Sequence, residues 1–436
     1  MTREIGIGLL GVGTVGGGVL KIYEQHRADL EARAGCGLHI VAAVARDVGA
    51  PREGLEPAAW PLTADPDRVL ADPAVSLIIE VIGGLEPART YVLRALEAGK
   101  HVVTANKALL AIHGTELFEA ARRRGVLLGF EAAVAGGVPI IGALRDGLAA
   151  NRILSLQGIV NGTSNFILTK MTDEGRDFSG ALREAQAAGY AEADPTLDVE
   201  GIDSAHKLQI LASLAFRTRV DLKDIYTAGI ARLEAMEITY ARELGYRVKL
   251  LAIAKATDGA LEVRVHPTLI PAASPLAAVS GAFNAILVTG DAAGDQMFYG
   301  RGAGQMPTAS AVWSDAIEIA RRIAYQHVTL AEDFPLGGER RLAMRPMSEV
   351  RSAYYLRAMV QDRPGVLSQV AGVLGRHDIS IATVIQKGRA GAVPIVMLTH
   401  EALERNMTAA LAEIDRLGVV ALPTVVLRVE APEGAP

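Results

Sequence analysis

The sequence predicts an α/β protein: a doubly wound parallel sheet first, an α+β domain in the middle, and a small split-βαβ unit at the end. Three observations carry this. Over residues 1–150, short apolar runs alternate with helical segments, as do strands covered by helices on both faces. Half of the 436 residues are hydrophobic but only 5% are aromatic. Ala, Val and Leu make up much of that half, which suits helices packed on a sheet better than a β-sandwich. Residues 350–430 read strand, helix, strand, strand, helix, strand, the order of a ferredoxin-like unit.

In chain order, strands are expected at 5–10, 39–44, 75–82, 101–104 and 126–130, with helices at 15–24, 91–98 and 109–124. The run 75–82 is almost wholly apolar, as a parallel strand buried on both faces should be. The middle region, 151–340, opens with a strand at 153–160. The polar turn Asn161-Gly162-Thr163-Ser164-Asn165 follows and is suited to capping a helix. Helices are expected at 178–188, 204–216 and 308–324, and strands at 246–256, 261–269 and 284–289. Residues 336–349, rich in Gly, Arg and Pro, read as a linker. The last unit has strands at 354–360, 379–387, 393–399 and 423–429 and helices at 366–376 and 407–417. The domain boundaries are therefore 1–150, 151–340 and 350–430, with a low-complexity tail at 431–436.

Composition excludes several functions. A net charge of −5 gives no nucleic-acid surface, and Arg122-Arg123-Arg124 reads as a solvated helix end. Cys36 is the only cysteine, so an intrachain disulfide and a cysteine metal site are both ruled out. That usage fits a reducing cytoplasm. Glycine interrupts the apolar run at the N-terminus, which reads as a buried strand and not a signal peptide. No stretch reaches the ~18 apolar residues of a membrane span. The nine histidines show no H-x-x-x-H spacing, and Ser164 lies in no nucleophile elbow.

Gly11-Val12-Gly13-Thr14-Val15-Gly16 follows a predicted strand and opens a predicted helix, the context that makes G-x-G-x-x-G a Rossmann-type dinucleotide site. Gly11 permits the turn, Gly13 lets backbone approach the pyrophosphate, and Gly16 allows close packing of helix on strand. Beside them, Thr14 and Val15 open the helix N-terminus to the phosphates. After the second strand come Arg46 and Asp47. Arg46 favours the extra phosphate of NADP and Asp47 the ribose of NAD, so both cofactors stay open. Thr104-Ala105-Asn106-Lys107 lies at the ligand-binding edge of the same sheet, where Lys107 would reach toward a carbonyl or the cofactor phosphates.

The densest chemistry runs from Gly189 to Lys207. Glu192, Asp194, Asp198, Glu200 and Asp203 place five carboxylates within twelve residues. Asp203 and Lys207 are four apart at the start of a helix and share a face. Reduction of an aldehyde needs a proton donor for the forming alkoxide, and a lysine both donates and stabilises that charge. Carboxylates suit a substrate ammonium. The pattern points to a small amino-acid carbonyl compound. His206, next to Lys207, faces about 100° away on the helix.

These residues resemble the homoserine dehydrogenase family. The resemblance rests on G-Y-A-E-A-D-P-T-L-D-V-E-G-I-D-S-A-H-K-L at 189–208, the Gly loop, T-A-N-K, F-E-A-A-V-A-G-G-V-P, N-G-T-S-N and G-R-G-A-G at 300–304. Residues 354–429, with D-R-P-G-V-L at 362–367, resemble an ACT regulatory domain. The resemblance implies reversible reduction of L-aspartate 4-semialdehyde to L-homoserine, serving threonine and methionine biosynthesis. It implies Lys207 as acid/base, with Lys107 supporting the same oxygen, and Glu192 binding substrate with the amino group near Asp198 and Asp203. Gly189 would add a backbone contact, and Thr104 and Gly302 would touch the nicotinamide half. A monovalent cation, sodium in type, would sit on backbone carbonyls of Glu131, Val134, Gly136 and Val138. It further implies dimerisation through the middle domain, as a homodimer or a tetramer through the ACT units, and threonine as an effector there. No kinase-sized fusion is expected ahead of Gly11. Two other readings compete: a dinucleotide- and amino-acid-sensing protein without turnover, and an enzyme of the same fold acting on another semialdehyde or a 2-hydroxy acid. Lys207 and the intact acidic segment oppose the sensor.

Overall fold

In the computed structural model, which describes residues 4–52, 54–325, 341–388 and 391–430, the first apolar runs become six strands. These are β1 (Glu4–Leu10), β2 (Gly37–Val44), β3 (Leu62–Thr63), β4 (Val75–Glu80), β5 (His101–Thr104) and β6 (Leu128–Gly129). Between them run helices α1 (Thr14–Ala34), α2 (Asp67–Leu70), α3 (Ala88–Glu97) and α4 (Lys107–Arg124). The strands are parallel throughout, in the order β3-β2-β1-β4-β5-β6. The order reverses between β1 and β4, and ligands bind such sheets beyond the strand ends at that point. Helix α1 outruns its predicted end at 24 and stops at Gly35, whose φ of +69° suits a glycine C-cap. The extension is mostly polar, so it carries no apolar stripe to read.

The chain continues through α5 (Ile140–Gly142), β7 (Ile153–Ile159), α6 (Gly162–Glu174), α7 (Phe178–Ala187), α8 (Thr196–Val199), α9 (Ile202–Ala215), β8 (Tyr226–Thr227) and α10 (Ala235–Glu243). Then come β9 (Tyr246–Thr257), β10 (Ala260–Pro271), β11 (Phe283–Gly290), β12 (Gly294–Arg301) and α11 (Gln305–Ala324). The last stretch holds β13 (Ala343–Met344), β14 (Arg351–Gln361), α12 (Val366–Arg376), β15 (Ile381–Gln386), β16 (Ala392–Thr399), β17 (Ala402–Leu403), α13 (Glu404–Ile414) and β18 (Val420–Val429).

By packing, these elements form two units that the chain visits alternately. The first comprises 1–156, 204–222 and 283–342, and the second 157–203, 223–282 and 343–436. The chain therefore crosses from one unit to the other more than once. The physical reason in the first unit is α11. Its Val312, Trp313, Ala316 and Ile319 are buried with Val19, Leu20 and Tyr23 of α1 in the core of the parallel sheet. Trp313 stacks on Tyr23 at 5.7 Å and its indole N–H donates to the Val19 carbonyl at 2.9 Å. The hairpin β11–β12 also belongs to this unit.

In the second unit β9 and β10 pair antiparallel over their whole length. Asp258 and Gly259 join them with φ of +53° and +74°, the backbone of a tight hairpin turn. Beside β10 the order runs β18-β14-β16-β15. With α12 and α13 this completes the expected ferredoxin-like unit, around a core of Tyr354, Leu356, Val370, Leu374, Ile395 and Met407. Part of the predicted linker, 336–340, lies outside the described residues, as does the tail 431–436. The described part does more than link: β13 pairs in parallel with β10.

Candidate active site

The Gly loop has the geometry that the motif needs. Gly11 takes φ +102°. A Cβ on Gly16 would stand 2.0 Å from the Gly11 carbonyl oxygen, so only glycine lets α1 start so close to β1. Nothing lies within 4 Å of where a Cβ on Gly13 would stand. Thr14 and Val15 open α1, and no side chain caps its first N–H groups. The backbone there is shaped to meet a phosphate.

Two further loops of the first unit are pinned to each other. The Thr104 hydroxyl donates to Glu80 Oε2 at 2.6 Å, and Glu80 Oε1 accepts from the Ile82 N–H at 2.7 Å. Thr104 Oγ1 in turn accepts from the Asn106 N–H at 3.0 Å. Asn106 caps α4 by accepting from the Leu109 N–H, while its amide donates to the Gly84 carbonyl at 2.6 Å. Half-buried Lys107 is the first residue of α4 and leaves from this fixed corner. Glu80 is fully buried. Burial raises its pKa against the opposing hydrogen bonds from Thr104, Ile82 and Gly83.

At the end of β2, Arg46 and Asp47 are both exposed. Asp47 Oδ1 accepts from the Gly49 N–H at 2.9 Å, so its carboxylate shapes its own turn. Arg52 donates to the Asp47 carbonyl at 2.6 Å and to the Val12 carbonyl at 3.1 Å. It ties this loop to the Gly loop.

The segment carrying Glu131, Val134, Gly136 and Val138 is a buried turn after β6. Glu131 accepts from the Ile141 and Gly142 N–H groups at 2.9 and 2.8 Å, and its own N–H donates to Asp315 at 2.7 Å. Burial pushes Asp315 up to about 8, against the lowering effect of the Glu131 N–H. Ala135 and Gly136 take φ of +54° and +50°. A Cβ on Gly136 would stand 2.5 Å from the Gly302 carbonyl oxygen, and one on Gly302 would strike the Asn284 amide at 2.2 Å. Asn284 is 1% exposed and neither of its amide atoms has a partner among the described residues.

In the second unit the acidic segment is organised by an asparagine. Asn161 Nδ2 donates to Asp198 Oδ1 at 2.6 Å and to Asp203 Oδ2 at 2.8 Å. Its Oδ1 caps α6 by accepting from the Ser164 N–H at 2.8 Å. The Ser164 hydroxyl donates to the Asp198 carbonyl at 2.9 Å, and the Thr163 hydroxyl to the Tyr190 carbonyl at 2.6 Å. The turn 161–165 thus holds both ends of the acidic segment. Gly189 and Glu192 are exposed, and Gly189 takes φ +76°. Asp194 instead accepts from the Thr196 N–H and hydroxyl, which is helix-start work. Asp203 and Lys207, 7% and 8% exposed, lie one turn apart on α9.

The structure brings Asp198 and Asp203 onto one amide, and Thr104 and Lys107 into one corner. Sequence reasoning missed Glu80, Asn284 and the bridging role of Asn161. Glu80 left a signal: it is the one acid in an apolar run, just before Gly83-Gly84. Asn284 left none, because its meaning depends on Gly302.

Residues 11–131 match the family model "Homoserine dehydrogenase, NAD binding domain", 139–317 match "Homoserine dehydrogenase", and 354–418 match "ACT domain". The homoserine dehydrogenase of Pseudomonas aeruginosa is 45% identical over 442 residues, covering 98% of this chain and 99% of its own. That of Bacillus subtilis is 41% identical over 431 residues, with 98% and 99% covered. Among solved structures, a homoserine dehydrogenase from Thiobacillus denitrificans matches with a TM-score of 0.92 at 47% identity, covering 98% of this chain and 99% of its own. A hyperthermophilic archaeal homoserine dehydrogenase in complex with NADPH gives a TM-score of 0.61 at 26% identity, covering 73% and 98%.

Proposed function

Because the chain belongs to the homoserine dehydrogenase family and is an oxidoreductase, we propose that Lys207 is the proton donor as L-aspartate 4-semialdehyde and L-homoserine interconvert. The observation that carries this is the buried pair on α9: Lys207 one turn from an Asp203 held by Asn161. A lysine there donates the proton to the forming alkoxide, and its charge stabilises that alkoxide. Lys107 supports the same oxygen from the α4 corner. Glu192, Asp198 and Asp203 take the substrate ammonium, and Gly189 adds a backbone contact.

Gly11, Gly13, Thr14, Val15 and Gly16 fit a dinucleotide, with open space over Gly13 and a helix start free of side-chain caps. The bound nicotinamide supplies the hydride. Thr104, whose hydroxyl donates to Glu80, and Gly302 would hold that half of the cofactor. Arg46, exposed at the end of β2, favours NADP, and NAD remains the second cofactor. The turn 131–138 fits a sodium ion, since left-handed backbone at two successive residues turns their peptide planes and hard cations take oxygen ligands. The enzyme works in the cytoplasm as a homodimer or homotetramer, with threonine acting through the ACT domain. Among the described residues no helix is long and apolar enough to cross a membrane.

The test is NADPH absorbance with aspartate semialdehyde. Lys207→Ala should lower turnover by roughly 10²–10⁴-fold and leave NADPH affinity near normal. Unchanged turnover removes Lys207 from the role. A wild-type chain that binds NADPH without consuming it would be a sensor.

A further inference from the structure

Far along α6 from its N-cap lies a cavity of about 200 Å³, between the last turns of α6, the start of β9 and residues 277–280. Thr172, Asp173, Arg247, Lys249 and Ser280 line it. Lys249 is 5% exposed. Its ammonium donates to the Val279 carbonyl at 2.5 Å and to Asn165 Oδ1 at 3.2 Å, both neutral acceptors. An ammonium has three donors, and the third has no acceptor among the described residues. Among the described residues no carboxylate bonds it; Asp173 pairs with Arg247 at 3.3 Å. A buried cation without a bonded counter-ion is costly. Burial, reinforced by Arg247, depresses Lys249 to about 8.

The same cavity has a negative wall. Thr172 and Asp173 belong to the last turn of α6, which ends at Glu174, where the helix dipole and terminal carbonyls favour a cation. Charges of both signs therefore line one small space. An apolar cavity of ~150 Å³ holds one benzene, so this one takes a molecule of about six to eight heavy atoms, far smaller than a dinucleotide. It lies roughly 16 Å along α6 from Asn161 and is not the acid network there.

We propose that this cavity binds a small zwitterionic α-amino acid, its carboxylate on Lys249 and Arg247 and its ammonium toward Asp173 and the α6 carbonyls. Isothermal titration of the full chain with L-alanine, and with acetate as the carboxylate alone, tests it. L-Alanine should bind saturably. Arg247→Gln and Lys249→Met should each weaken it about tenfold or more, the size of one charge-assisted hydrogen bond. Asp173→Asn should weaken L-alanine by a similar factor and leave acetate unaffected. Arg247→Gln and Asp173→Asn change partly exposed side chains, so they remain informative if Lys249→Met fails to fold. Both should keep wild-type kcat/KM for homoserine. The proposal is overturned by no saturable binding in the wild type, or by L-alanine affinity unchanged in Arg247→Gln and Asp173→Asn. Equal responses of acetate and L-alanine to Asp173→Asn would make it a simple anion site and overturn it too.

Discussion

A single carboxyl at the end of a buried strand sets the corner from which Lys107 projects. Glu80 accepts from the Thr104 hydroxyl and the Ile82 N–H. Replacing it with leucine leaves the buried Thr104 donor without a partner, at about 1–3 kcal/mol. Lys107 then loses its fixed origin, and in the role proposed for it a small displacement is expensive in rate. Glu80→Leu should lower kcat/KM by about tenfold or more, and Glu80→Gln, which keeps an acceptor for Thr104, should recover most of it. Steady-state kinetics beside thermal unfolding decides between positioning and general destabilisation: rescue of rate without a matching change in Tm marks positioning. The acid itself is visible in the sequence, but its work is not. That work depends on a threonine in the neighbouring strand, and strand adjacency is a tertiary fact. Lys207 and Asp203 differ, since helical spacing alone puts them on one face.

Between elements, α1 and α11 pack backbone against backbone in the first unit. A Cβ on Gly18 would stand 2.6 Å from the Gln305 carbonyl oxygen, and backbone cannot move aside as a side chain can. Gly18→Val should therefore push α11 off α1 and cost about 1–3 kcal/mol, read as a lower urea midpoint. Helix existence is legible from periodicity: 366–376 was expected as a helix and α12 is Val366–Arg376. What a helix packs against is not legible, because an apolar stripe names the buried face and not its partner. A second prediction belongs to the β5–β6 edge. His101 Nδ1 accepts from the Leu127 N–H at 3.0 Å, and burial pushes its pKa down to about 4. The native state then binds fewer protons than the unfolded chain between about pH 4 and 6.5. Stability falls as pH drops through that window, by on the order of 2–3 kcal/mol from this group. Urea unfolding of wild type and His101→Gln at pH 7.5 and 4.5 should show a smaller acid loss in the variant.

At the scale of the second unit, a ferredoxin-like order is readable from the sequence, but its attachment is not. Among the described residues two register pairs, Thr268↔Arg428 and Leu269↔Val429, join β10 with β18, and so short a ladder holds little by itself. Several charges are buried around those rungs. Arg264, 1% exposed, bonds Glu430 and Glu262 and meets His266 Nε2 at 3.1 Å. Lys255 also bonds Glu430. Arg428 is paired with Glu404, which accepts from the Tyr354 hydroxyl at 2.9 Å. Burial alone would raise Glu430; the two cations outweigh it and hold it below the ordinary carboxylate range. Such a network contributes little net stability over an apolar replacement, yet breaking one member is severe. Glu430→Gln leaves Arg264 and Lys255 without their shared carboxylate and should cost about 3–5 kcal/mol. Arg264→Met with Glu430→Met removes both buried charges of that pair and should cost less than either single change. Equilibrium unfolding of Arg264→Met, Glu430→Met and the double closes the cycle. Additive losses would mean that the buried charges act independently, and that the join of β10 to β18 rests on its two backbone rungs and apolar packing alone.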